Sequence, residues 1–205
     1  MSTKLLLVVF VALLVGCGGS GSTSSGGASA TVNSNGGTGL GSTHPNVTIN
    51  ISRRLYTVSG TTISQLRREL QQKGPGSFFG RVVSTISYDY RTRGNCALAR
   101  ADVGLRSVLI LPQWTPPPGT HASTVAEWRR FVAALEAHEI NHLRIDIAES
   151  EALARSLLSL QPQPTCEQLV ERMEQLHKDT IARASKRNES YDDRTNHGRS
   201  EGAYL

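Results

Sequence analysis

Between His121 and Gln161 the chain contains neither glycine nor proline. The stretch is dense in Ala, Leu, Glu and Arg, which lose little conformational freedom in a helix, so it predicts one continuous α-helix of roughly ten turns. Thr124-Val125-Ala126-Glu127 has the pattern of a capping box near its start. So long a helix needs a buried face. Phe131, Leu135, Ile145 and Leu153 share one, with Arg129, Glu136, Arg144 and Arg155 on the other side.

On the buried face lies His138-Glu139-Ile140-Asn141-His142. At the helical repeat the two histidines sit one turn apart and roughly 40° around the axis, so both imidazoles can reach one metal ion. This is the HExxH pattern: His138 and His142 as Zn2+ ligands, Glu139 as general base for water activated at the metal. The competing reading makes both hydrogen-bonded core histidines. Burying two imidazoles and a carboxylate together costs several kcal/mol unless something compensates, and a metal does so.

A third ligand has to come from elsewhere. Glu149 is about 10 Å along the helix axis from His142, which leaves Asp146 and Glu149 to steady a ligand imidazole rather than bind the ion. Ile145 and Ala148 stand where the longer HExxHxxGxxH motif needs Gly and His. His177, Glu171 and Glu174 read as part of a solvated helix face. The polar segment Tyr191-Asp192-Asp193-Arg194-Thr195-Asn196-His197-Gly198 is rich in ligating side chains, although by composition it also suits a solvated tail.

Around the long helix the elements are short. Val47-Thr48-Ile49-Asn50-Ile51 alternates as a half-buried strand does and extends toward Val58. Thr62-Ile63-Ser64-Gln65 is a capping box for a helix carrying Ile63, Leu66 and Leu70, stopped by Gly74-Pro75. Arg81 to Tyr90 and Ala101 to Leu111 read as antiparallel strands joined by a loop at Arg91-Thr92-Arg93-Gly94-Asn95. Thr165-Cys166-Glu167-Gln168 opens a last helix with Leu169, Met173 and Leu176 on one face, expected to fade near Lys186-Arg187-Asn188. The expected fold class is α+β: a small antiparallel sheet packed against the HExxH helix and a second, C-terminal helix.

The N-terminus reads as an address. Lys4 precedes an apolar run from Leu5 to Val15, too short to span a bilayer but right for a signal peptide over residues 1–16. Leu14-Val15-Gly16-Cys17 resembles a bacterial lipobox, which makes Cys17 the lipidated residue and the membrane a partner. Residues 17–44, almost all Gly, Ser, Thr, Asn and Ala after the cysteine, then form a flexible tether to a domain over residues 45–205. The expected location is the bacterial cell envelope, lipid-anchored on the periplasmic face or in the outer membrane. Cys96 and Cys166, the remaining thiols, are expected to pair in that oxidising compartment; closing about 70 residues contributes on the order of 4 kcal/mol. The net charge of +5 is spread along the chain with no basic run interleaved with aromatics, which argues against a nucleic-acid partner.

Cys96, Leu111-Pro112-Gln113-Trp114, Trp128, the HExxH helix, Cys166 and the closing Tyr191-Asp192, Thr195 and His197-Gly198 together resemble a bacterial family of predicted secreted zinc-dependent proteases, over roughly residues 47 to 202. The resemblance implies a zincin-like fold, with zinc on His138 and His142, Glu139 as base and a closing segment folded back onto the site. It favours His197 as third ligand, with Asp192 as alternative. The developing oxyanion also needs a donor besides the metal, and Tyr191 is the candidate for it. The implied substrate is a peptide or protein in the cell envelope.

Overall fold

A computed structural model describes His44 and residues 46–205. The signal peptide, Cys17 and all but the last residue of the tether lie outside the described residues. The elements in chain order are β1 (Val47–Thr57), α1 (Ile63–Lys73), β2 (Arg81–Arg93), β3 (Ala97–Gln113), α2 (Ala122–Leu158), α3 (Cys166–Thr195) and a 3-10 turn at Arg199–Glu201. The α+β class expected from the sequence is found.

The sheet, however, is mixed rather than antiparallel. Its order is β1-β3-β2; β2 and β3 form the expected antiparallel hairpin, whereas β1 runs parallel to β3. The cause is the position of α1. Arg54 of β1 and Arg81 of β2 both pair with Ile110, so β1 ends and β2 begins at the same end of the sheet. The segment containing α1 crosses that end. Leu66 and Leu70 pin it into a cluster with Val58, Leu109, Trp114, Trp128 and Phe131. Thr62 closes both halves of its capping box, as expected.

Side chains at Val103, Leu105, Ser107 and Leu109 alternate onto the sheet face that α2 covers, while the opposite face carries Arg54, Thr85 and Arg106. Helix α2 starts earlier than the Thr124 capping box implies. His121 is its N-cap, accepting the Ser123 N–H on Nδ1, and Thr124 is buried inside the first turn. Helix α3 starts at the Thr165 cap, as expected, but runs to Thr195 instead of fading near Asn188. Its apolar stripe ends where predicted; polar contacts to α2, described below, carry it two turns further.

The core divides in two. Val47, Ile49, Val103 and Leu105 pack with Ile147, Leu153, Leu157, Leu169 and Met173, and the second cluster gathers under α1. On α2, Leu135 belongs to one cluster and Ile147 to the other, so residues 138–142 fall at the seam between them. Cys96, just before β3, is disulfide-bonded to Cys166 at the start of α3, tying the tip of the hairpin to the helix layer as the cysteine count suggested.

Candidate metal centre

Both helices contribute to the seam. His138 and His142 project from α2, and Asn188 and Asp192, one turn apart on α3, face them. His138 Nε2 lies 3.1 Å from Asp192 Oδ1, His142 Nε2 lies 3.1 Å from the same oxygen, and the two Nε2 atoms are 3.2 Å apart. The side chains of His138 and His142 are 4% and 12% exposed.

The other ring nitrogens fix the tautomers. His142 Nδ1 is 2.8 Å from Asn188 Oδ1, while Asn188 Nδ2 donates to Asp146 Oδ1 at 2.8 Å. The amide oxygen of Asn188 can only accept, so Nδ1 of His142 carries the hydrogen. His138 Nδ1 is 2.9 Å from Glu201 Oε2, and that carboxylate also accepts from the Tyr191 hydroxyl at 2.8 Å. In the neutral imidazoles, Nε2 is then a bare lone pair on both rings, aimed at a carboxylate oxygen that also only accepts. Three acceptors within about 3 Å of one another repel unless a cation stands between them.

The spacing fits a metal. A tetrahedral ion with bonds of about 2.0–2.1 Å separates its ligand atoms by about 3.3 Å, close to the triangle found here. Two imidazoles and one carboxylate suit zinc. Without an ion, only protons can relieve the conflict, and the titration shifts run that way. Burial works to lower the pKa of both histidines, but bonds to Asp192 with Glu201 for His138, and to Asp192 with Asn188 for His142, raise them overall. Burial works to raise Asp192, yet the two imidazoles hold it far below the usual carboxylate range.

Glu139 is set beside this group without joining it. It is 5% exposed, and burial pushes its carboxyl up to about 7 despite the neighbouring histidines and a Val82 N–H that lower it. Gly80 makes room for it: a Cβ there would sit 2.8 Å from Glu139 Oε1.

The sequence-predicted residues are distributed unequally. His138, His142 and Glu139 are where the motif puts them. Asp192, the alternative third ligand, is in the converging group. His197, the favoured one, is 47% exposed with Nδ1 3.7 Å from Asp192 Oδ2, outside that group. Tyr191 stacks on the His138 ring with centroids 4.9 Å apart and planes tilted by 20°. Its hydroxyl donates to Glu201 and accepts from Asn141 Nδ2 at 2.8 Å, so it braces a histidine instead of offering a donor to the cleft. Of the two carboxylates expected to steady an imidazole, Asp146 acts through Asn188, whereas Glu149 pairs with Arg183 and Arg187. His177 bonds the Ile86 carbonyl at 2.8 Å, joining α3 to β2, while Glu171 and Glu174 are exposed. Asn188 and Glu201 were missed. Asn188 precedes Asp192 by four residues, a spacing that would have put it on the same helix face; Glu201, in a 3-10 turn, has no periodic signal.

Each residue of the closing motif has a structural part. Tyr191 supports a ring, Asp192 completes the triangle, and Thr195 Oγ1 accepts the Gly198 N–H at 3.1 Å across a turn in which Asn196, His197 and Gly198 all have positive φ. Beyond it, Arg130 donates to the carbonyls of Gly202 and Tyr204 at 2.7 and 2.6 Å, which holds the turn bearing Glu201 against α2. The group opens on a cavity of about 370 Å3 walled by the segment Ser77–Ser84 on one side and α3 on the other.

Comparison with curated proteins and with solved structures gives no match. The family model for "Bacterial protein of unknown function (DUF922)" matches residues 53–198, from β1 through α3 to the glycine of the closing motif, and the chain belongs to that family.

Proposed function

We propose that this domain is a zinc-dependent peptidase of the bacterial cell envelope, anchored through a lipid on Cys17. The observation that carries the reading is the convergence of three acceptor atoms, from His138, His142 and Asp192, beside a buried carboxyl whose pKa is near neutral. Bound there, zinc supplies Lewis acidity to a water and to a substrate carbonyl.

The chain's own residues do the rest. Glu139, buried beside the three converging groups without joining them, would take a proton from the attacking water and return it to the leaving nitrogen. Glu201 and Asn188 hold both imidazoles by Nδ1 with Nε2 facing Asp192, where they would bind the ion. The strand β2 is at an edge of the sheet, and its Val82 N–H points to Glu139, so its unpaired backbone borders the cleft where an extended peptide can lie. A purely structural ion would sit in a closed four-ligand site. Here three ligands face an open cavity, which leaves room for water and substrate.

Digestion of a peptide library by purified, zinc-loaded protein tests the reading. Cleavage abolished by a chelator and restored by zinc is expected; a library left intact by protein shown to contain zinc contradicts it.

A further inference from the structure

The net charge, spread along the sequence, is segregated by the fold. Strands β1, β2 and β3 together carry seven arginines and two aspartates, whereas α2 and α3 carry ten basic and thirteen acidic side chains. The helices cover the sheet face of Val103, Leu105, Ser107 and Leu109. The opposite face stays open: Thr48, Arg54, Thr85, Ser87 and Arg106, spread over all three strands, are exposed.

The register gathers arginines on this open face. Arg54 of β1 and Arg81 of β2 flank Ile110 of β3, Arg106 stands between Asn50 and Thr85, and Arg91 pairs with Arg100. Five of the seven strand arginines are therefore here, against Asp89 and Asp102. Those two aspartates sit side by side toward the hairpin tip, and Asp102 is bound by Arg100. The cross-strand neighbours of Arg54 and Arg106 carry no charge. Ser52, Thr85 and Ser87 beside them are short and Gly104 has no side chain, so a flat partner can approach the guanidiniums.

The remainder of the chain points to that partner. Residues 18–43 carry no charge, so they add nothing to an electrostatic contact. A Gly-rich segment of that length spans roughly 25–30 Å. With Cys17 held in a bilayer, β1, itself a strand of the open face, begins within that distance of the lipid headgroups. Anionic headgroups offer arginine the phosphate oxygens it binds best, and they repel the net-negative helix layer. A second copy of the chain would set arginines against arginines.

We propose that the open sheet face is a membrane-docking surface, seated on anionic phospholipid headgroups through Arg54 and Arg106. The proposal rests on the lipid-anchor part of the proposed function and is independent of the metal. Docking of this kind leaves the helix layer, with the candidate metal centre, on the side away from the bilayer.

Flotation of the full-length Cys17→Ser chain, which has no lipid of its own, with phosphatidylcholine vesicles lacking or containing about 30 mol% phosphatidylglycerol tests the surface. Affinity for the anionic vesicles should exceed that for the neutral ones by about tenfold or more and collapse at about 0.5 M salt. Arg54→Gln with Arg106→Gln should remove about tenfold or more of it, whereas Arg129→Gln with Arg172→Gln, exposed on the helices, should change it by less than about twofold. Thr85→Lys, which adds a charge and removes none, should tighten binding, and so reads the same face if the double variant misfolds.

Equal binding to both vesicles overturns the docking surface, as does a loss shared by the helix pair or a Thr85→Lys variant no tighter than its parent. Capture of soluble polyphosphate with none of the vesicles, or a dimer that the Arg54 and Arg106 substitutions dissociate, overturns it in favour of another occupant. An unmodified Cys17 in wild-type protein extracted from bacterial membranes overturns the anchor reading alone, and selective vesicle binding then still upholds the surface.

Discussion

Gly198 lies against the imidazole of His138 so closely that a Cβ at position 198 would sit 2.9 Å from the ring Cγ. Its φ of 78° also lies in the left-handed region that glycine tolerates best. The final glycine of the closing motif is therefore a requirement of the candidate metal centre: the His138 ring occupies the space a side chain would need.

Gly198→Ala forces either the ring or the turn to move. The expected loss is about 2 kcal/mol of stability from strain and clash together, with weaker zinc binding. Chemical denaturation and chelator competition measure the two effects, and a variant matching the wild type in both contradicts the packing described.

Glu139→Gln keeps the shape of the side chain and removes its ability to take a proton. Zinc content should be unchanged, while kcat falls by about 100-fold or more. A zinc-loaded variant with full turnover removes Glu139 from the role of base.

The two residues behind the ligands should matter through the metal. Asn188→Ala and Glu201→Ala each free an imidazole Nδ1, and zinc affinity should fall about 10- to 100-fold. Glu201→Gln, which can still accept from His138 and Tyr191, should lose less. Isothermal titration of the metal-free protein with zinc reads all three.

The metal-free domain should be more stable at about pH 5 than at about pH 8. Glu139 holds its proton in the folded state up to about 7 against 4.5 in the unfolded chain, so its contribution is complete below 4.5 and lost as pH rises to 7. His138 and His142, raised above 6.5, stabilise fully below that value and cease to as pH climbs through their folded-state values. Asp192 acts oppositely: lowered from 3.8, it stabilises above that pH and stops doing so only as pH falls through its depressed folded value. Zinc binding displaces the protons, so saturating zinc should reverse the trend between about pH 5 and 8. Thermal melts with zinc and with chelator, at both pH values, decide the sign.

Much of this was legible in the sequence because it depends on local rules. Caps at Thr62 and Thr165 announced two helices, and freedom from Gly and Pro announced the long one. The HExxH spacing placed two rings and a carboxyl on one helix face. Pairing partners were another matter. Alternation at Val47 to Ile51 marks a half-buried strand without naming its neighbour, and only the passage of α1 across the sheet end makes β1 parallel to β3. The choice between Asp192 and His197 turned on where α3 ends. A helix judged by apolar periodicity stops near Asn188 and leaves both residues in a loose segment. Because Asn188, Tyr191 and Asp192 bond into α2, the helix continues to Thr195, which keeps Asp192 facing the histidines and puts His197 beyond the cap.

The most direct test is the zinc content of wild-type, Asp192→Ala and His197→Ala proteins purified without added metal and then titrated with zinc. One equivalent in the wild type, loss of tight binding in Asp192→Ala and retention in His197→Ala is the predicted result. A wild-type protein that binds no divalent ion, or an Asp192→Ala variant that holds zinc as tightly as the wild type, contradicts the metal centre described.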